Sequence, residues 1–441
     1  MFDPILDLVT WATVRVPGHV VSRLYHVRTQ FNGLPRNARI LALTSFFWTL
    51  PTAFSVVYLR IFMREQGLSE IEIGTISSIQ VAFQVAGSFC GGWMADRLGW
   101  KRALVLLDLV LWPTAMIAYA AATSYAGFLL GACLEGLQWI VVPAWISLLL
   151  SGTPPARRPF LFALGGLNFM GGGLLVPLGA PLVRAWGVSN TTRVMFLFGA
   201  ALMVTGIFIR WRTVKDKTPR HAARRVQEGG LRGFLRGHRA AFRTIRERPI
   251  LRLMFFYQLL MRMAIVVGFT YGYLYLTDPR GLALDKARIS ALPLINSAMV
   301  VVALVFINPL IRIARIHRFF YLGLGLRMAY LLAIILAPAG AMPIVMCAMA
   351  AEGLGFGVLW STANTYWANQ MADAERPRIT ALANVLFMVL TMPAPSIAGA
   401  LYVVNPRLPF VMMLAFFTTA LALQIAMDVS EHAWEHAWGR S

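Results

Sequence analysis

Four ionisable side chains, Glu135, Arg262, Arg327 and Glu352, interrupt long apolar runs of this sequence. Glu135 lies in GACLEGLQWIVVPAWISLLL (131–150) and Glu352 in CAMAAEGLGFGVLWSTANTYW (347–367), each followed by Gly-Leu. A carboxyl in a low-dielectric pocket can take up and release a proton under physiological conditions. A guanidinium keeps its charge and attracts a carboxylate or an anionic ligand. Two readings stand side by side. In one, Glu135 or Glu352 carries a proton whose binding competes with substrate, and contact with Arg262 alternates. In the other, the charges form static pairs, for instance Arg327 with Glu352, which need no function.

The elements that must hold these groups are membrane helices. The chain has 441 residues, of which 58% are hydrophobic and 13% charged, about half the charged share of a soluble domain. Apolar blocks of roughly 18 residues or more read as spans. Twelve candidates fall at 38–63, 72–95, 102–122, 125–151, 159–185, 193–211, 250–277, 287–311, 319–337, 341–369, 378–404 and 408–427. The ten-residue alternation of a β-barrel is absent. With the amino terminus inside, the inner loops and tails hold most of the 40 Lys and Arg, so both termini are expected in the cytoplasm. That loop asymmetry accounts for the net charge of +21, most of it in the 210–252 loop, without nucleic acid; contact with anionic lipid follows. Cys90, Cys133 and Cys347 read as small core residues with no disulfide or zinc spacing. Residues 1–37 lack a basic segment ahead of their apolar part. An interfacial amphipathic helix is expected there in preference to a cleaved leader, with a poorly ordered tail as the alternative.

Sliding the sequence by 217 or 218 residues aligns Glu135-Gly136-Leu137 with Glu352-Gly353-Leu354, Arg158-Pro159 with Arg376-Pro377, Phe169-Met170 with Phe387-Met388, and Pro177 with Pro395. These are parallel repeats of six helices. The implied parts are an interfacial segment 1–37, a first bundle 38–211, a basic linker 212–249, a second bundle 250–427 and a tail 428–441.

Between the second and third spans, GGWMADRLGWKR (91–102) resembles the signature loop of the major facilitator superfamily of secondary transporters, through Gly92, Asp96, Arg97, Gly99, Lys101 and Arg102. Trp100 stands where that family usually has a basic residue, and the matching loop of the second half, NPLIRIARIHR (308–318), lacks the acid. The fourth span lacks the drug-antiporter motif, and GGGLLVPLGAPL (171–182) looks like a degraded antiporter motif. The resemblance implies an all-helical fold of twelve spans working by alternating access, with the 91–102 loop latching the halves on the cytoplasmic side. Gly92 is expected to permit close helix approach. The resemblance also implies that spans one, four, seven and ten surround the cavity. Glu135, Arg262 and Glu352 would then line or border it, while Arg327 and Asp108 would be peripheral. Asp108, about two turns from the inner surface, is expected to pair with the basic loop beside it.

Helical spacing adds Gln138 and Trp139 after Glu135, Trp360 and Asn364 after Glu352, and Gln258 before Arg262 as wall residues, together with Trp48 and Tyr58 of the first span. Aromatic walls with scattered polar groups suit an amphipathic organic solute, although packing accounts equally for each aromatic residue. None of the seven histidines lies deep in a span, and His432 and His436 read as parts of a solvated tail. No nucleophilic triad, metal cluster or phosphate loop can be assembled, so an enzyme is not expected. The expected function is proton-coupled export of a small amphipathic or drug-like solute. The alternatives are proton-driven symport of a sugar or organic acid, or movement of lipid between leaflets. The proton gradient replaces any cofactor, and a monomer in a bacterial-type inner membrane is expected.

Overall fold

The computed structural model describes residues 29–154, 157–158, 160–161, 164–165, 171–216, 218, 242–311, 316–371 and 375–438, without the side chains of 309, 377–378 and 431–438. Expectations for residues 1–28, Phe169-Met170, the side chains of His432 and His436 and most of the linker therefore lie outside what is described. Among the described residues the chain is helical, with no strand. Eleven helices among the described residues are long and apolar enough to cross a membrane: α1 Arg36–Glu65, α2 Glu70–Leu98, α3 Trp100–Ala121, α4 Tyr125–Leu150, α5 Gly172–Thr213, α6 Pro249–Thr277, α7 Arg288–Ile307, α8 Ile316–Leu336, α9 Met342–Asn369, α10 Ile379–Val404 and α11 Leu408–Ser430. The protein is a multi-pass membrane protein.

The count differs from the twelve expected because the end of the fifth candidate span, 159–185, and the whole of the sixth, 193–211, fall within α5. At 42 residues α5 would be about 63 Å long if straight, twice the roughly 30 Å of a hydrocarbon core. It breaks at Gly187, whose φ of +73° and ψ of 172° suit a residue without Cβ. Other boundaries also follow local chemistry. Ser69 and Glu72 form a reciprocal capping box at the start of α2, and Gly99, at φ +84°, ends it. In α4 the α-helical period stops at Leu137, and Gln138–Val141 form a tighter turn ahead of Pro143, which has no N–H to donate back along the helix.

Helices α1–α5 pack together and α6–α11 pack together, and the halves meet chiefly where α2 lies along α10 and α5 against α7, with α1 along α6 as well. The Glu-Gly-Leu repeat has a packing meaning. A Cβ on Gly136 would stand 2.5 Å from the Gln80 carbonyl oxygen of α2, and one on Gly353 would stand 2.3 Å from the Asn296 carbonyl oxygen of α7. Each glycine lets its helix touch a neighbour in its own half. Gly92 does not behave as expected: it is exposed, with nothing within 4 Å of a Cβ position. Gly91 makes the close approach instead, its Cβ position 2.5 Å from the Ile140 carbonyl oxygen. The cysteines are also corrected. Cys90 and Cys347 are exposed and Cys133 is half-buried, so they face outward from the bundle; all three are free.

The halves are bolted at one end. Across the interface Arg64 pairs with Asp278 at 2.6 Å, Glu70 with Arg280 at 2.9 Å and Glu65 with Lys286 at 2.7 Å. The Tyr58 hydroxyl donates to the Lys286 carbonyl, the Tyr271 hydroxyl to the Glu70 carbonyl, and Ser78 bonds Ser396. This end carries the α1–α2 and α6–α7 connections, opposite the linker.

Candidate functional site

Between the halves lie two adjoining cavities of about 250 and 180 Å³ that share Ile265, Arg327 and Phe356. Their charged wall residues are Arg262 of α6, Arg327 of α8 and Glu352 of α9. The regular α-helical period of α9 sets Glu352, Phe356, Trp360 and Asn364 one above another, four residues apart, and all four line this chamber. Gln258 lies one turn before Arg262 on α6 and faces the same space, as does Tyr257. The N-terminal half contributes Gln84 and Trp139 to one cavity, and Thr52, Val56 and Gly173 to the other.

Glu352 is held by Arg327 in a two-pronged pair, Nε to Oε2 at 3.0 Å and Nη2 to Oε1 at 2.6 Å. The glutamate side chain remains 16% exposed and the arginine 4%, and both line the smaller cavity, while Arg327 alone also lines the larger. Arg327 is thus a wall residue and not the peripheral group expected of a ninth-span side chain. Its length explains the difference, since a guanidinium reaches several ångströms from its own backbone to the α9 face. Its remaining surface is covered by Phe417, 4.7 Å from the ring centre. Arg262 donates to Asn384 Oδ1 at 3.2 Å and lies 4.7 Å over the Phe387 ring, and no carboxylate among the described residues comes within ion-pair distance.

Glu135 is placed elsewhere. Its Oε2 accepts from the Tyr119 hydroxyl at 2.6 Å, within the N-terminal half, and it lines neither inter-half cavity. Neither cavity wall includes Glu135, so the expectation that it borders the transport path gains no support from them. Gln138 and Trp48 line a third cavity of about 380 Å³, set among the N-terminal helices, which touches the inter-half space through Trp139 and Thr52. Asp108 lies in that wall too, paired at 3.0 Å with Arg210 of α5 and not with the basic loop. Arg210 also donates to Thr44 and Ser45 and lies 4.0 Å over the Trp48 ring. The sequence reading missed Arg210 because it sits at the end of a span, where a basic residue is ordinary. Tyr58, expected in the cavity wall, belongs to the bolted end instead.

In the 91–102 segment, Gly92, Asp96 and Arg97 lie on the last turns of α2, Gly99 turns the chain, and Lys101 and Arg102 open α3. Arg97 lies 5.1 Å over the Trp93 ring. Asp96 has no hydrogen-bond or ion-pair partner among the described residues. The backbone N–H of Trp100 donates at 2.7 Å to Thr218 Oγ1, which itself donates to Asp216, tying this turn to the start of the linker.

Membrane helices in two packed groups, bolted at one end around a chamber with ionisable walls, define a secondary transporter. The chain belongs to the Major Facilitator Superfamily, whose sequence pattern matches residues 40–395. Solved structures agree on the fold. The nucleoside transporter NupG matches with a TM-score of 0.67 at 13% identity, over 90% of this chain and 99% of its own. A bacterial homologue of the human lysosomal transporter Spinster, inward-facing and unoccupied, matches at 0.68 and 13% identity, over 89% and 96% of the two chains. A mutant of the peptide transporter POT in complex with sulfate matches at 0.68 and 15% identity, over 91% and 97%.

Proposed function

We propose that this chain moves a small amphipathic organic solute across the membrane by alternating access, driven by the proton gradient. The observation that carries this reading is the Arg327–Glu352 pair in the chamber wall, with the acid facing the cavity. Arg327 and Glu352 satisfy each other as a two-pronged charge pair. A ligand that draws Arg327 away leaves a carboxylate in a low-dielectric wall, and taking a proton is the least costly relief. Substrate and proton then travel as a linked pair. The two bundles are 38–211 and 250–427, with the two parts of α5 on either side of Gly187 counted as separate spans. With the termini in the cytoplasm, as the distribution of Lys and Arg favours, the bolted end faces outward and the chamber serves the inner side. Opening outward requires the Arg64–Asp278, Glu70–Arg280 and Glu65–Lys286 pairs to part while the 91–102 segment latches, giving Asp96 a partner in that state.

Export by exchange with protons is one direction of such a cycle. Uptake of an organic acid with protons is the other, and Arg262 favours it by placing a free cation in the chamber. The test uses liposomes carrying the purified protein and a pH-sensitive dye inside. Addition of solutes from a panel of carboxylates, sugars, amino acids and amphipathic amines is expected to evoke proton movement with wild type and none with Glu352→Gln. Solute-evoked proton movement that survives in Glu352→Gln removes the coupling role of Glu352.

A further inference from the structure

The chamber is one positive charge out of balance. Its charged wall residues are Arg262, Arg327 and Glu352, and Glu352 is spent on Arg327. Arg262 is left as a cation well inside a membrane helix, where an unpaired charge costs several kcal/mol and Met or Gln would fill the same volume. Its observed partners do not repay that cost. Asn384 takes one of the five N–H donors of the guanidinium, and Phe387 covers one face. A second orphan lies in the same wall: the hydroxyl of Tyr257, fully buried, has no hydrogen-bond partner among the described residues. Around them stand Gln84, Gln258 and Asn364, all able to donate, and the rings of Trp139, Trp360 and Phe387.

From these groups we infer that the transported solute is an organic monoanion, a carboxylate or sulfonate on an apolar or aromatic body, with Arg262 as its anchor. The inference rests on the transporter reading and names the substrate class of that site. One negative charge brings the chamber to neutrality, whereas a phosphate dianion overshoots and an amine adds repulsion to two guanidinium groups. The planar fork of Arg262 matches a carboxylate with two parallel hydrogen bonds. Trp139 and Gln84 belong to the N-terminal half and Arg262 to the C-terminal half, so an anchored ring touches both. An anion at Arg262 also sits in the cavity that Arg327 lines, where it competes with Glu352 for that guanidinium.

The test is a charge series on one ring system: 1-naphthoate, 1-naphthamide and 1-naphthylmethylammonium, with shorter aryl and alkyl carboxylates added to cover body size. Each is titrated against the purified full-length protein in nanodiscs, with melting temperature and dissociation constant as readouts. The expected order places a carboxylate of the series first and the ammonium last. Arg262→Gln is expected to weaken the carboxylate about 10- to 100-fold while leaving the amide unchanged, and Arg262→Lys to fall between. Equal binding of the amide or ammonium, unchanged carboxylate affinity in both Arg262 variants, or no binding by any carboxylate overturns the inference, and the wild-type series decides even if a variant fails to fold. Anion-selective binding without proton movement in liposomes keeps the anion site and removes the transport reading. Proton movement evoked by the neutral or cationic analogue does the reverse.

Discussion

The bolted end offers a perturbation whose size follows from the geometry. Asp278 is 1% exposed and its carboxylate accepts from Arg64 at 2.6 Å, Tyr402 at 2.9 Å and the Arg280 backbone at 2.8 Å. Tyr402 and Arg280 belong to the same half as Asp278, so their bonds persist whichever way the transporter faces. The Arg64 bond alone crosses the interface, and it alone enters the equilibrium between states. A hydrogen bond between charged groups contributes about 1.5–3 kcal/mol, and Arg64 is 30% exposed, which lowers the figure to roughly 1–2 kcal/mol. Asp278→Asn keeps the shape, removes the charge and is expected to shift the population toward the outward-open state about 5- to 30-fold. The assay is labelling of a cysteine introduced at Val56, a chamber residue of α1, by a membrane-impermeant thiol reagent, with Cys90, Cys133 and Cys347 replaced by serine. Arg64→Gln should raise the labelling rate similarly, and the double variant no further than either. An unchanged rate, or additive effects in the double variant, would refute the assignment of this pair as a closing contact. The pH dependence follows as well. Burial alone would raise the pKa of Asp278, but Arg64, the Arg280 backbone and Tyr402 outweigh it and hold the carboxyl below its ordinary value. A lowered carboxyl pKa gives a contribution that is complete above the ordinary value of about 3.9 and lost as pH falls through the lowered one. Labelling at Val56→Cys should therefore be unaffected by protonation of Asp278 between pH 5 and 8, and transport that varies in that window has its proton elsewhere.

Two further expectations concern stability. Asp108→Asn strands Arg210 in a site where both side chains are less than 5% exposed, so the melting temperature should fall by roughly 5 °C or more, equally in low and high salt. Differential scanning fluorimetry checks this, and recovery is expected when Asp108→Leu is combined with Arg210→Met. Gly353→Ala puts a methyl 2.3 Å from the Asn296 carbonyl, where backbone has little room to yield. A loss of about 1–3 kcal/mol is expected, read as a lower melting temperature with the lipid held constant.

Much of the fold was open to reading without coordinates because membrane spans are written in one dimension. A run of apolar residues long enough to cross the hydrocarbon stands out from composition alone. Wall residues on α9 were legible for a related reason. Glu352, Phe356, Trp360 and Asn364 lie on an unbroken helix, so sequence spacing is spatial spacing. On α4 the regular spacing is interrupted by the tightened turn at Gln138–Val141, and Trp139 lines the larger inter-half cavity while Glu135 does not. The expectation failed for Gly92, since neighbouring glycines on one helix point in different directions and only one of them meets α4.

Composition and order along the chain thus decided that this protein crosses a membrane many times, with a few charged groups inside. The tertiary structure alone decided which charges meet. Arg327 with Glu352 was one of two open readings of the sequence, but Asp108 and Arg210, 102 residues apart, and Arg64 and Asp278, 214 apart, are linked by no local pattern. Pairing of that kind depends on helix rotation and on the reach of long side chains, and packing settles both. The charge that packing leaves over, on Arg262, was likewise invisible until each of the others had found its partner.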